Sequence, residues 1–315
     1  MAAGIRFLIT GGSGFVGWNL VNFLKNRHAV AAGFYRNPAQ IEGCRFLEMD
    51  ITDRSRVLEA VRCIEPAVII HAAALSSPDE CEENRALTDD VNIAGTLNML
   101  DAARECSCRM VYVSTDMVFD GASGNYSEAS APCPINYYGW SKLEGEKLCM
   151  QSAADALIVR ITLQYGWGNG IHASSSDWLI KDIRAGSPVR LFSDQYRTMT
   201  YVMDTARGLE LAALDSAPRE MYHLTGPERV SRYDFGRAVA SACKLPHHLL
   251  IKSRMADVPA RAPRPRDVSL NGNKFLRRFS YQPRGITEGV AAMTQSEWGQ
   301  GVKDSRDQEN YKINN

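Results

Sequence analysis

The stretch TGGSGFVG occupies residues 10–17 and places glycines at positions 11, 14 and 17. It follows the apolar run IRFLIT (5–10) and opens FVGWNLVNFLKN (15–26), whose apolar residues recur with a helical period. Glycines between a strand and a helix let the backbone approach a pyrophosphate, and the helix N-terminus offers free N–H groups to it. The stretch predicts a dinucleotide-binding turn, with a ligand-free glycine turn as the alternative. The residues predicted to bind the cofactor here are Gly11, Ser13, Gly14, Phe15, Val16 and Gly17.

Strand and helix patterns alternate from this turn onward. The alternation is typical of βαβ units and predicts an α/β fold, a Rossmann-type doubly wound parallel sheet, with ligands at the carboxyl ends of its strands. The later strand candidates are 29–35, 44–50, 67–74, 109–115 and 156–162, and the helix candidates among them are 54–66 and 84–105.

The regular alternation fades after residue 162, where Gly, Ser and Pro become frequent. We therefore expect a smaller C-terminal lobe that binds the substrate. The expected division is an NADP-binding Rossmann domain at 1–162 with a return segment at about 197–215, a substrate-binding lobe at 163–196 and 216–299, and a flexible tail at 300–315.

The end of the second strand candidate bears on the type of cofactor. It reads GFYRNP, with Tyr35 and Arg36 and no acidic residue before Glu42. A carboxylate here would hold the ribose 2′-hydroxyl of NAD, whereas a guanidinium pairs with the 2′-phosphate of NADP. We expect NADP(H) to be the preferred cofactor, with NAD(H) as the alternative. Arg36 could instead be a solvated surface charge without a role in cofactor binding. The further predicted cofactor contacts are Asp50, Ile51, Ala72, Ala73 and Ala74.

Asp50 has two interpretations from the sequence. It follows the third strand candidate, where its carboxylate could accept from an adenine amine. It could equally cap the helix that begins near Arg54.

The segment NYYGWSKLEGE (136–146) contains Tyr138 and, four residues later, Lys142. On a helix these side chains share a face. An ammonium about 4 Å from a phenol, at an effective dielectric of about 20, would favour the phenolate by about 4 kcal/mol. The spacing thus predicts a catalytic pair with a lowered Tyr138 pKa. The alternative is that the two residues have this spacing by chance. Thr115, at the end of a strand candidate, is placed to hydrogen-bond a substrate oxygen.

Bulk composition narrows the choice of partners. Lys plus Arg and Asp plus Glu both total 36, so the formal net charge is zero and no basic field favours nucleic acid. No run approaches 18 apolar residues, and the N-terminus lacks the pattern of a signal peptide. The eight cysteines are scattered without C-x-x-C or zinc-type spacing. We expect a cytoplasmic protein with no membrane, nucleic-acid or metal partner.

Several motifs occur in a fixed order along the chain. They are Gly11/Gly14/Gly17, HAAA (71–74), VN (91–92), STD (114–116) and Tyr138-x-x-x-Lys142. Together they resemble the extended short-chain dehydrogenase/reductases. A narrower resemblance, to the dTDP-4-dehydrorhamnose reductase branch, is carried by STDMVFDG (114–121), PINYYGWSKLEGE (134–146), DQYRTMTYVMDTA (194–206) and RPRDVSL (264–270).

The resemblance implies NADP(H)-dependent reduction of the 4-keto group of a nucleotide-linked deoxysugar. It implies Thr115, Tyr138 and Lys142 as catalytic residues, with Lys142 also on the nicotinamide ribose. Two departures concern the substrate: the branch usually has Tyr where Met117 stands and Pro where Met199 stands. The substrate-binding candidates are Thr115, Asp116, Arg197, Arg264 and Arg266, the three arginines being suited to a nucleotide diphosphate.

Two other functions remain open at this point. A sugar-nucleotide epimerase of the same family uses the same Tyr and Lys. The regulatory β subunit of methionine adenosyltransferase resembles the same branch and keeps similar motifs, so intact Tyr138, Lys142 and Thr115 do not exclude a non-enzymatic role. The expected partner is a nucleotide-linked sugar, and a homodimer is left open.

Overall fold

A computed structural model describes residues 4–38, 41–170, 172, 174–216 and 219–296. The tail predicted at 300–315 lies outside the described residues. Within them, no helix combines the length and apolar character needed to cross a bilayer.

Seven parallel strands form the central sheet of the described chain, in the spatial order β11 (Met221–Leu224), β6 (Ala156–Ile161), β5 (Arg109–Thr115), β4 (Val68–His71), β1 (Arg6–Thr10), β2 (Ala29–Phe34) and β3 (Arg45–Glu48). The order reverses between β1 and β4, which is the switch point where doubly wound sheets bind ligands. The chain is therefore an α/β protein with a Rossmann-type sheet, as predicted.

Short strand pairs lie outside this sheet, and helices surround both. The short strands are β7 (Gln164–Tyr165), β8 (Val189–Phe192), β9 (Tyr196–Arg197), β10 (Thr200–Tyr201), β12 (Val230–Ser231) and β13 (Leu250–Ser253). The helices are α1 (Phe15–Leu24), α2 (Arg54–Ile64), α3 (Pro78–Glu83), α4 (Arg85–Thr88), α5 (Gly95–Glu105), α6 (Tyr137–Gln151), α7 (Ser175–Arg184), α8 (Val202–Ala213), α9 (Arg232–Ala242), α10 (Asn273–Phe279) and α11 (Ile286–Gln295).

The period-2 pattern of the strands divides the sheet's apolar side chains between two core layers. Phe7 and Ile9 pack with residues of α1, α8 and α10 on one face. Leu8 and Met110 pack with residues of α2 and α5 on the other face. Both faces of the sheet are covered, which is why its strands read as continuous apolar runs.

A third core forms from the later part of the chain. It joins Tyr165 and Leu191 with apolar residues of α7, α9 and α11.

The strand Met221–Leu224 differs from expectation. The division predicted from the sequence placed it in the smaller lobe, whereas it is the edge strand β11 of the central sheet. The chain leaves the sheet after β6 and returns some sixty residues later, so local alternation gives no sign of this strand.

The helix predicted at 84–105 is interrupted. Arg85–Thr88 and Gly95–Glu105 are α-helical, but Asp89–Ala94 between them forms a π-helical turn. The extra residue in a π-turn changes which side chains face inward, and such turns are frequent at functional sites. Here the turn contains the buried Asn92.

Candidate active site

A cavity of about 1150 Å³ runs along the carboxyl edge of the central sheet. It extends from the glycine turn after β1, past the ends of β4 and β5, to β8 and β9. All predicted site residues except Arg266 line it: Gly11, Ser13, Gly14, Phe15, Val16, Gly17, Tyr35, Arg36, Asp50, Ile51, Ala72, Ala73, Ala74, Thr115, Asp116, Tyr138, Lys142, Arg197 and Arg264. Arg266 is exposed and outside this lining, so the structure does not bring it to the site.

The glycine turn at one end of the cavity has the geometry that a pyrophosphate needs. Gly11 has φ +67°, which favours glycine, and a Cβ on Gly17 would lie 2.1 Å from the Gly11 carbonyl oxygen. Gly14 caps α1 without any side-chain hydrogen bond to the first turn. The first N–H groups of α1 are thus available to phosphate oxygens, and these residues fit a dinucleotide.

The opposite wall of this end comes from β2 and β3. Arg36 and Tyr35 are both exposed, and the guanidinium carbon lies 4.9 Å from the centre of the tyrosine ring. Asp50 Oδ1 accepts from the Thr52 backbone N–H at 2.9 Å and from its hydroxyl at 2.7 Å. Asp53, and not Asp50, caps α2, since its carboxylate accepts from the backbone N–H groups of Ser55 and Arg56.

Thr115 and Tyr138 meet at the middle of the cavity. Thr115 ends β5, where its hydroxyl donates to Asp116 Oδ1 at 3.2 Å, and its side chain lies near enough to the Tyr138 phenol to affect the phenol's pKa. Burial raises the pKa of Tyr138 above its ordinary value, and the nearby Thr115 hydroxyl opposes this only in part. The direction is opposite to the lowering that the sequence predicted from Lys142, because the loss of solvation outweighs nearby positive charge. The phenol is therefore protonated at neutral pH.

Lys142 lies one helical turn beyond Tyr138 on α6, and it is almost fully buried. Its Nζ sits 4.0 Å from the centre of the Tyr112 ring, an arrangement that attracts an ammonium to the ring face. Burial lowers the pKa of Lys142 to about 8, with Cys149 and Glu146 opposing the shift. A buried cation with a strongly shifted pKa in a cleft is typical of a functional site.

Asn92 connects the π-helical turn to this centre. Its side-chain amide accepts from the Leu75 N–H at 2.8 Å and donates to the Leu75 carbonyl at 3.0 Å. The same amide donates to Ser141 Oγ at 2.9 Å, on the residue next to Lys142. Asn92 therefore fixes the cavity wall after β4 against α6, and its contacts are structural.

Some of the residues predicted to bind the substrate already form ion pairs within the protein. Asp116 and Arg197 form an ion pair in which Oδ2 and Nη1 lie 2.7 Å apart. Arg264 lines the cavity but pairs with Asp79 of α3 at 2.8 Å and also donates to the Ala262 carbonyl. Two of the arginines proposed for a diphosphate are thus already held by carboxylates.

The two departures from the branch pattern lie in different places. Met117 is buried and lines the cavity beside Thr115, so its side chain reaches the substrate region. Met199 is part of the third core and is not among the cavity-lining residues.

Sequence reasoning missed Arg232 and Gln195, which also line the cavity. Arg232 is the first residue of α9, and the Ser231 hydroxyl that caps this helix accepts from the Asp234 N–H. The pattern Ser-x-x-Asp in VSRYDFG (230–236) marks a helix start, but only the packing of α9 against β8 and β13 shows that its N-terminus faces the cavity. In the described ranges, no cluster of His, Cys, Asp or Glu is placed to hold a metal ion.

The fold and the cavity place the chain among the extended short-chain dehydrogenase/reductases, a class of NAD(P)-dependent oxidoreductases. Comparison with known proteins narrows the class. Residues 5–298 match the family described as RmlD substrate binding domain, and the chain belongs to that family.

Similar proteins within this class differ in their described roles. One is the probable low-salt glycan biosynthesis reductase Agl14 of Haloferax volcanii, 31% identical over 90% of this chain and 96% of that protein. Another is the methionine adenosyltransferase 2 subunit beta of Danio rerio, 30% identical over 86% of this chain and 84% of that protein. The crystal structure of dTDP-4-dehydrorhamnose reductase from Bacillus anthracis in complex with NADP superposes with a TM-score of 0.81, 26% identity, and coverage of 92% of this chain and 98% of that one.

Proposed function

We propose that this chain reduces the 4-keto group of a nucleotide-linked deoxysugar with NADP(H). The observation that carries the proposal is that Thr115, Tyr138 and Lys142 line one cavity, Tyr138 and Lys142 lying on the same helix, and that the other end of this cavity is a glycine turn. The family membership and the NADP complex of the similar reductase support the same chemistry.

The cofactor would lie between the glycine turn and Lys142. Gly14 and the N-terminus of α1 would hold its pyrophosphate, Arg36 its 2′-phosphate, and Lys142 its nicotinamide ribose. When bound in reduced form, this group supplies a hydride to the ketone carbon. NAD(H) is the alternative cofactor, since Arg36 is exposed.

Residues of this chain would supply the proton that the ketone oxygen gains. As negative charge develops on the ketone oxygen, Tyr138 donates its phenolic proton and Thr115 donates a hydrogen bond to the same oxygen. The raised Tyr138 pKa suits this direction, because the phenol is fully protonated before the reaction. The ammonium of Lys142 stabilises the phenolate that remains.

The smaller lobe would bind the nucleotide. The cavity continues from Thr115 to Gln195 and Arg197, which belong to segments beyond the Rossmann strands. Binding of the remote nucleotide fixes the position of the ketone near Tyr138, and such remote binding accelerates the chemical step. We expect a nucleotide-linked 4-ketosugar to be reduced, and the free ketosugar to be almost unreactive.

The test is NADPH oxidation with dTDP-, UDP-, GDP- and CDP-linked 4-keto-6-deoxyhexoses. Tyr138→Phe should remove turnover, while Tyr137→Phe is the matched control, because Tyr137 lies on the same helix with its hydroxyl on Asp89 at 2.9 Å. Stoichiometric NADPH consumption would separate a reductase from an epimerase. If no ketosugar of the panel is reduced although NADPH binds, the reductase assignment fails.

A regulatory subunit is the second candidate. The methionine adenosyltransferase 2 subunit beta of Danio rerio matches over most of both chains at an identity equal, within one per cent, to that of the glycan reductase. Under this alternative, the cavity holds a cofactor without turnover and an external face binds a catalytic subunit. Co-purification of this chain with the methionine adenosyltransferase of its own source, together with no ketosugar reduction, would favour it.

A further inference from the structure

Arg197 and Arg232 both line the part of the cavity beyond Thr115, near enough for their charges to interact. Arg197 ends β9, and Arg232 begins α9. The Arg232 backbone N–H donates to the Gln195 carbonyl at 3.1 Å, which ties the start of the helix to the strand. Burial, and then the charge of Arg197, lower the pKa of Arg232 to about 10. Arg232 is still protonated at neutral pH, so two like charges share this site.

Each of the two guanidinium groups has a buried nitrogen atom without a hydrogen-bond partner in the described chain. Asp116 compensates Arg197 through Nη1. Arg197 Nε and Arg232 Nη1 are both buried, and neither has a hydrogen-bond partner among the residues that the structure describes. Arg197 as a whole side chain is only 7% exposed. A buried donor without an acceptor costs about 1–3 kcal/mol, and more when it carries charge.

The charges of this cluster do not balance. Asp116 supplies one negative charge against the two positive charges of Arg197 and Arg232. Arg232 is half-buried and lines the cavity, so an anion that enters the cavity can supply the missing negative charge. Unused guanidinium donors beside a cavity are matched by the oxygens of a phosphoryl or carboxylate group, which arginine binds through two parallel hydrogen bonds.

We propose that Arg232, together with Nε of Arg197, forms an oxyanion-binding subsite that selects substrates carrying a phosphoryl or carboxylate group at this position. The inference rests on the proposed function only in taking the anion to be part of the substrate. Arg232 is the selecting residue, since Arg197 is restrained by Asp116 whereas the guanidinium of Arg232 has no carboxylate partner in the described chain.

The position of the subsite fits a substituent of the reacting sugar. Arg197 is near enough to Tyr138 for its charge to lower the phenol's pKa, and Asp116 follows Thr115 directly in the chain. An anion on these guanidiniums would therefore fix the sugar ring relative to the proton donor. The phosphoryl group of a sugar nucleotide and a carboxylate on the sugar itself are the two sources of such an anion.

The experiment measures anion binding without turnover. Protein saturated with NADP⁺ is titrated by calorimetry with inorganic pyrophosphate and, separately, with glucuronate, at constant ionic strength. The variants are Arg232→Met, which removes the charge, and Arg232→Lys, which keeps it. Arg237→Met is the matched control, an exposed arginine on the same helix. Unchanged NADP⁺ affinity and thermal midpoint show that each variant is folded.

We expect Arg232→Met to weaken binding at least tenfold, with Arg232→Lys between it and the parent and Arg237→Met equal to the parent. A loss confined to pyrophosphate assigns the subsite to a phosphoryl group, and one confined to glucuronate assigns it to a sugar carboxylate. The proposal is overturned if neither anion binds the parent, or if Arg232→Met binds both as the parent does. The experiment measures anion binding and involves no ketosugar turnover. Its outcome can therefore be interpreted even if the reductase assignment fails.

Discussion

Asp116 Oδ2 lies 2.7 Å from Arg197 Nη1, and the two side chains are only 3% and 7% exposed. The pair joins the residue after catalytic candidate Thr115 to a strand from the later part of the chain. Burial raises the pKa of Asp116, while the charge of Arg197 opposes that rise. The structure of the substrate side of the cavity therefore depends on a buried ion pair.

Removing the carboxylate should therefore be costly. We expect Asp116→Asn to lower the free energy of unfolding by about 3–5 kcal/mol, since it leaves the buried Arg197 without its counter-charge. Urea denaturation measures the change. Asp101→Asn is the control, because its pair with Arg54 is 30% and 55% exposed and should contribute at most about 1 kcal/mol. Equal effects of the two substitutions would contradict the importance of burial.

Tyr138→Phe separates chemistry from cofactor binding. The change removes the phenolic hydroxyl that would donate the proton but keeps the ring, so turnover should fall by at least about a thousandfold. NADPH affinity, followed by quenching of protein fluorescence, should stay within a few-fold of the parent. Turnover close to that of the parent would remove Tyr138 from the proton-donor role.

Lys142 should make stability depend on pH in a defined direction. Its folded-state pKa is lowered to about 8 from the ordinary 10.5, so the unfolded chain binds more protons between these values. The contribution of Lys142 to stability therefore rises with pH across that window, by about 3 kcal/mol in total. Below pH 8 the charged side chain is destabilising, and Lys142→Met should be more stable than the parent by a similar amount.

The measurement is the free energy of unfolding of parent and Lys142→Met from pH 7 to pH 11. The two curves should converge toward the alkaline end. Lys147→Met is the control on the same helix, where the side chain is 53% exposed and pairs with Glu144, and it should run parallel to the parent. Parallel curves for parent and Lys142→Met would show that Lys142 is not destabilised by burial.

The sheet and the glycine turn could be predicted because their determinants are local. TGGSGFVG is read from contiguous residues, and buried parallel strands such as β1 and β5 appear as short apolar runs. The strand β11 could not be assigned, since its partner β6 is distant in sequence. The π-helical turn at Asp89–Ala94 adds one residue to a helical period without any Gly or Pro signal.

The site was predicted unevenly for a related reason. Tyr138 and Lys142 share a face on one helix, so spacing alone brings them together. Arg232 reaches the cavity only through the packing of α9, and Arg266, two residues from Arg264, points away from it. The pKa of Tyr138 was predicted in the wrong direction, because desolvation depends on the whole cavity and not on the nearest charge.

Arg36 should set the preference between the two nicotinamide cofactors. It lines the cavity at the end of β2, its guanidinium rests on the Tyr35 ring, and no acidic side chain stands beside it in GFYRNP. A charge-assisted contact with a 2′-phosphate contributes about 1.5–3 kcal/mol, so Arg36→Ala should reduce the preference for NADPH over NADH about tenfold or more. Titration of both cofactors against parent and variant measures the ratio. Arg45→Ala, an exposed arginine at the start of β3, should leave it unchanged. NADPH and NADH binding the parent equally would show that Arg36 is only a surface charge.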